Sequence, residues 1–180
     1  QVLMEPLLHI VRSEEAVFSP RFGQLLPLAY QVTADGKPSS QHIKELAGLN
    51  HPALLLLENT HNFRGGLCLN ADEIETITDA AHQHGVPVHL DGARIFNAAA
   101  FTGHHVKTLC KGADSVMFCL SKGLGAPMGS LIVCSHDFSQ RLRKTKKLLG
   151  GSLRQAGIAA APGLYALAQH QDNARKDNQK

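Results

Sequence analysis

The sequence has no tryptophan and only 5% aromatic residues, a shortage that by itself excludes little. The apolar residues exclude more. No stretch reaches 18 consecutive apolar residues, so no membrane-spanning helix is expected. The start, Gln1 to Ile10, has neither the basic region nor the small-residue cleavage site of a signal peptide. Cysteine is sparse, and Cys68, Cys110, Cys119 and Cys134 never come close enough for a redox CxxC or a zinc knuckle. Free thiols in a reducing, cytoplasmic compartment are therefore expected. Among 11 histidines, His82 and His84 lie two apart and His104 and His105 are adjacent; neither pair makes the i, i+4 HExxH arrangement, and no metal is expected. A P-loop and a GxGxxG fingerprint are also missing. Lys plus Arg number 18 against 15 acidic residues, and the net +3 is too small a surplus to imply nucleic acid. The basic run Arg141-Leu142-Arg143-Lys144-Thr145-Lys146-Lys147, with only Phe138 and Tyr165 as aromatics near it, reads as a solvated helix face.

What is present is a globular composition, 43% hydrophobic and 18% charged. A chain of 180 residues forms one ordinary domain or a piece of something larger. Its start lacks Met and runs straight into apolar sequence, which favours the second. Residues 1–30 are hard to read, their apolar patches broken by Pro6, Pro20 and Pro27. A loop at 34–40 precedes an expected short helix over 41–49. Leu54-Leu55-Leu56-Leu57, ending at Glu58, suits a strand buried on both faces of a parallel sheet. Asn70, with Glu73 three residues on, predicts a capping box ahead of Ile74 and Ile77, and Gly85 stops that helix. Residues 86–90 read as a strand closing on Asp91, and 106–111 as a helical segment. A second strong strand over 115–120 runs into Ser121-Lys122-Gly123, and a third run covers 130–133. Cys119 and Cys134 fall within such runs and are expected in the core. A basic helix over 138–149 closes at Gly150-Gly151, and another over 155–169 contains Pro162, expected to kink or interrupt it. Strands alternating with helices predict an α/β fold: a mostly parallel sheet flanked by helices, binding ligands beyond its strand carboxyl ends.

Three groups of residues at strand ends or adjoining loops carry the chemistry: Glu58-Asn59-Thr60-His61-Asn62, His89-Leu90-Asp91-Gly92-Ala93-Arg94 and Ser121-Lys122-Gly123-Leu124-Gly125. An acid, an amine, a guanidinium and an imidazole converging on one crevice suit amino-acid chemistry on an aldehyde cofactor. Lys122 can form an imine once its amine is neutral; the bland alternative is a solvated lysine in a Gly-rich turn. Asp91 can hold a protonated pyridine nitrogen or cap the Asp-Gly turn that follows, and the two roles are compatible. Arg94 offers a rigid fork to a carboxylate or phosphate, or a surface salt bridge. His61 can shuttle a proton or be satisfied by neighbouring backbone. His89 shares the face of Asp91 and reads as its support.

Three longer runs sharpen this. They are His89-Leu90-Asp91-Gly92-Ala93-Arg94-Ile95-Phe96-Asn97-Ala98, then 114–127 with Cys119-Leu120-Ser121-Lys122-Gly123-Leu124-Gly125 at its centre, then Leu149-Gly150-Gly151-Ser152-Leu153-Arg154-Gln155-Ala156-Gly157. All three, in this order, resemble the signatures of the threonine aldolases. These are fold-type I pyridoxal-phosphate enzymes, grouped with the aromatic amino-acid β-eliminating lyases. The resemblance is firm over 50–170 and looser over 9–49. It implies that Lys122 anchors the cofactor aldehyde with Ser121 beside it in the cofactor site, and that Asp91 pairs with the pyridine nitrogen. It also implies that Arg94 binds the substrate carboxylate, that His61 lies near the substrate hydroxyl, that His9 stacks on the cofactor ring, and that Arg154 serves the cofactor phosphate.

The resemblance further implies cleavage of L-threonine or L-allo-threonine to glycine and acetaldehyde by retro-aldol chemistry. The alternatives are a β-eliminating lyase or an inactive truncated fragment. Residues 1–180 would be a partial cofactor-binding large domain, without the family's amino-terminal phosphate-binding segment and carboxyl-terminal small domain. Ser152 and Leu153 stand where Gly-Met is usual. The implied partners are a small β-hydroxy amino acid and further copies of the chain, in a homodimer or homotetramer, with an exposed sheet edge favouring association; nucleic acid and membrane are not expected.

Overall fold

Six strands, β1 (Val2–Met4), β2 (Pro27–Ala29), β3 (Leu54–Glu58), β4 (Val88–Asp91), β5 (Ser115–Cys119) and β6 (Ser130–Cys134), form one sheet in the order β2-β1-β3-β4-β5-β6. The computed structural model describes residues 1–14, 17–170 and 176. All neighbouring pairs are parallel except β5 with β6. Helices α1 (His9–Arg12), α2 (Ser40–Asn50), α3 (Ala71–His82), α4 (Ile95–Thr102), α5 (Val106–Leu109), α6 (His136–Leu148) and α7 (Gly157–Gln169) complete the chain, with a 3-10 turn at Asn62–Arg64. This is the α/β sheet expected from the sequence, mostly parallel and flanked by helices.

The leucine run behaves as a two-faced strand should. Leu55 and Leu57 enter one apolar cluster with Ile43 and Ala47 of α2, Ile74 and Ile77 of α3, and Val88 and Leu90 of β4. Leu56 points the other way, into a smaller cluster with Val2, Met4 and Leu8. This period-two alternation buries the strand on both sides. Helix α3 begins with the predicted capping box: the Asn70 side chain accepts from Glu73 N–H, and the Glu73 carboxylate accepts from Asn70 N–H. The helix ends at His82, and Gly85 takes a left-handed φ of 69° on the way to β4.

The expectations for the first thirty residues and for the two strand cysteines need correction. The unreadable start contains β1, a fully buried strand between β2 and β3, too short at three residues to show a period. Cys119 and Cys134 are half-buried, because β6 lies at the sheet edge with Leu131, Ile132 and Val133 exposed. Helix α7 spans Gly157 to Gln169 with Pro162 inside it. The proline falls in the second turn, where the helix forfeits the bond to the Ile158 carbonyl and continues. The basic run lies on exposed α6, with the Arg141 guanidinium 5.3 Å from the Phe138 ring centre. Among the described residues, no helix is long and apolar enough to cross a membrane.

Candidate active site

Because β1, β3, β4 and β5 are parallel, their carboxyl ends share one edge of the sheet, where open α/β sheets take up ligands. Along that edge stand Glu5 just past β1, Glu58 at the end of β3, Asp91 at the end of β4, and Ser121 and Lys122 just past β5. Glu58 and Asp91 are register partners, and Asn59 N–H donates to the Asp91 carbonyl at 2.9 Å.

Asp91 is buried, and its Oδ1 accepts from Ala93 N–H at 3.0 Å. The turn-capping role is thus real. It uses one carboxylate oxygen, and among the described residues no hydrogen bond is recorded to the other. The turn is stitched to the strand that leads to Lys122: Gly92 N–H donates to the Met117 carbonyl at 2.8 Å. A Cβ at Gly92 would sit 2.9 Å from that same oxygen, so only glycine allows this approach. Beneath Asp91, His89 Nδ1 and Ser115 Oγ are 2.8 Å apart, tying β4 to β5. Burial pulls the His89 imidazole below its ordinary range, against the upward pull of Asp91.

Lys122 is half-buried and Ser121 exposed, in a loop closed by Gly125 N–H to the Lys122 carbonyl at 2.8 Å and Ala126 N–H to the Leu120 carbonyl at 2.9 Å. Gly125 sits at φ 71°, a left-handed conformation that disfavours side chains. Leu120 and Leu124 pin the loop against Ala166 of α7. A Cβ at Gly123 would strike the Asn97 side chain, so the residue after Lys122 lies flush against α4.

His61 is buried at 6% exposure, with Nε2 2.8 Å from Glu5 Oε2. Among the described residues its buried Nδ1 has no hydrogen-bond partner, so the neighbouring backbone does not satisfy this nitrogen. Arg64 Nη2 donates to Glu5 Oε1 at 2.7 Å. Glu58 holds the same region from behind, Oε2 accepting from His9 N–H at 2.7 Å and Oε1 from Asn62 N–H at 2.8 Å. One carboxylate therefore fixes both the start of α1 and the loop carrying His61. The His9 ring stacks near Phe63, ring centres 6.3 Å apart. Burial drives the Tyr30 hydroxyl far above its usual range, reinforced by the charges of Glu5 and Glu58. It remains a neutral donor to the Leu56 carbonyl at 3.1 Å.

A family model for beta-eliminating lyases matches residues 3–180. The chain belongs to that family. It is a family of pyridoxal-phosphate-dependent lyases. Among curated relatives, a low-specificity L-threonine aldolase of Arabidopsis thaliana is 46% identical over 127 residues, 71% of this chain and 36% of that protein. The low specificity L-threonine aldolase of Escherichia coli O157:H7 is 42% identical over 125 residues, 69% of this chain and 37% of that one. In three dimensions the chain superposes on a candidate L-allo-threonine aldolase from Listeria monocytogenes with a TM-score of 0.82 at 27% identity, covering 97% of this chain and 48% of that one. The chain thus spans less than half the length of these relatives.

The residues at the sheet edge fit the family cofactor by their chemistry. An acceptor-only carboxylate suits a protonated ring nitrogen, a primary amine suits an aldehyde, and an unpartnered buried imidazole nitrogen suits a ligand proton. Asp91, Lys122, His61 and His9 share that edge, and Arg94 stands half-buried directly before α4, three residues past Asp91. Arg154 is exposed in the link between α6 and α7. Among the described residues, no cluster of three or more His, Cys, Asp or Glu side chains could hold a metal ion. Sequence reasoning missed Glu5 and Arg64. The available signal was a charge set directly after the apolar triplet Val2-Leu3-Met4, since a carboxylate carried inward must find donors.

Proposed function

We propose that this chain is the cofactor-binding part of an aldehyde-lyase that cleaves L-threonine or L-allo-threonine to glycine and acetaldehyde. What supports the proposal is that His61, Asp91 and Lys122 follow or end the neighbouring parallel strands β3, β4 and β5 on their carboxyl side. Bound pyridoxal phosphate supplies an electrophilic aldehyde and an electron-accepting ring. Lys122 is the amine that holds the aldehyde, with Ser121 beside it. Asp91 keeps the ring nitrogen protonated through its free oxygen while its other oxygen maintains the turn. His9 stacks on the ring, Arg154 serves the phosphate, and Arg94 grips the substrate carboxylate through its planar fork. His61 takes the proton from the β-hydroxyl, the step that lets the Cα–Cβ bond part.

Residues 1–180 act here as a partial large domain, completed by an amino-terminal segment and a small domain, in a cytoplasmic homodimer or homotetramer. Exposed apolar side chains on β6 and α7, among them Ile132, Ile158 and Leu164, support self-association. The visible spectrum of the protein with pyridoxal phosphate tests the reading against Lys122→Ala. We expect a band shifted from the free cofactor in the wild type only, changed by glycine, with acetaldehyde released from threonine. Identical free-cofactor spectra from two folded proteins would sink the assignment of Lys122.

A further inference from the structure

We infer that Glu5 is the positioning residue that makes Nδ1 of His61 the proton-accepting nitrogen of this site, an inference that rests on the retro-aldol reading above. Glu5 is 4% exposed and lies on β1's carboxyl side, 56 residues from His61 in sequence. Its two oxygens face three groups. Oε1 receives Arg64 Nη2 at 2.7 Å, and Oε2 receives Leu7 N–H at 3.2 Å and meets His61 Nε2 at 2.8 Å. A guanidinium and a backbone amide can only donate, so the carboxylate serves as an acceptor towards both.

An ionised carboxylate has nothing to donate to the third group. Nε2 of His61 must therefore carry the hydrogen, and in the neutral ring Nδ1 must carry the lone pair. That nitrogen is the one found buried and unpartnered among the described residues. The mostly apolar gap that Glu5, Tyr30, Glu58 and His61 help to line measures about 10 Å³, at the lower limit for one water. Glu5 thus selects the tautomer and holds the ring, while Arg64 supplies the positive charge that lets a carboxylate stay buried. The balance is a single proton, leaving the substrate hydroxyl for Nδ1 through one water. Meanwhile Nε2–H remains on Glu5, whose charge stabilises the imidazolium.

The arrangement predicts an inversion in Glu5→Gln. A glutamine has one acceptor oxygen; the charged Arg64 claims it, so the amide nitrogen takes the place of Oε2, gives up the 3.2 Å bond from Leu7 N–H and presents one hydrogen to His61 Nε2. Nε2 must become the acceptor, and the hydrogen moves to Nδ1. Long-range ¹H–¹⁵N spectra of the 180-residue chain, with His61 assigned by its loss in His61→Gln, report this directly. The expected result is the Nε2–H form in the wild type and in Glu5→Asp, and the Nδ1–H form in Glu5→Gln. In the cofactor-loaded enzyme Glu5→Gln should lower kcat for threonine roughly 10²-fold or more with KM little changed.

An Nδ1–H tautomer in the wild type overturns the inference without recourse to any variant, which covers the case in which Glu5→Gln does not fold. An unchanged tautomer in folded Glu5→Gln also overturns it. If the tautomers behave as expected and the loaded wild-type enzyme releases no acetaldehyde, the retro-aldol reading fails while the Glu5–His61 relation stands.

Discussion

Asp91 commits one oxygen to a backbone amide, and among the described residues its other oxygen has no hydrogen bond, which makes its two roles separable by a single substitution. Asn in its place keeps an acceptor for Ala93 N–H, so the turn and the fold should survive with little loss. On the proposed reading, the negative charge offered to the ring nitrogen would be gone. Asp91→Asn should therefore melt within a few degrees of the wild type yet turn over threonine roughly 10²-fold more slowly. Equal losses in melting temperature and activity would show that the residue is structural only. The strand-end positions of Asp91 and Lys122 were legible in the sequence because each closes a strand-like segment. Glu5 was not, because its meaning depends on His61 and Arg64, and no local spacing encodes a pairing across so many residues.

Among the elements, β4 and β5 lead to the candidate residues Asp91 and Lys122, and the bond between His89 and Ser115 joins the two strands. Burial holds the folded His89 imidazole below its ordinary range. With the folded value depressed, folded and unfolded chains are both neutral at His89 above about pH 6.5. Below it the unfolded chain takes up a proton that the folded chain refuses. Stability is therefore complete above that pH and declines as pH falls towards the folded value. Urea midpoints at pH 7.5 and 5.5 should differ more in the wild type than in His89→Gln; equal differences would exclude His89 as a source of acid sensitivity. The elements most legible from sequence were β3 and α3, which have a long apolar run and an explicit cap. Strand β1 and the edge position of β6 were hidden, because a three-residue strand has no measurable period and exposure depends on what lies beside a strand.

On the scale of the whole molecule, the sheet ends at β6 with Leu131, Ile132 and Val133 exposed along an open strand. Unpaired backbone flanked by branched apolar side chains recruits further strands. Ile132→Lys should leave the circular dichroism spectrum unchanged and reduce the apparent mass of the chain in concentration-dependent sedimentation. A wild type that stays monomeric at every concentration would remove the premise. The family assignment was legible at this scale because three separated motifs recur in order, whereas the packing that turns them into a site had to be seen.

The central place of β1 has a consequence during synthesis. It pairs with β2 and β3, and β3 begins about fifty residues after β1 ends, so a ribosome adding roughly 5–20 residues per second delivers that partner about 3–10 s later. For that interval Val2, Leu3 and Met4 are a sticky segment without its eventual neighbour, and Glu5 has neither His61 nor Arg64 to receive its charge. The buried carboxylate of the finished site is thus, on the nascent chain, a hydrated charge beside three apolar residues, a gatekeeper against premature association.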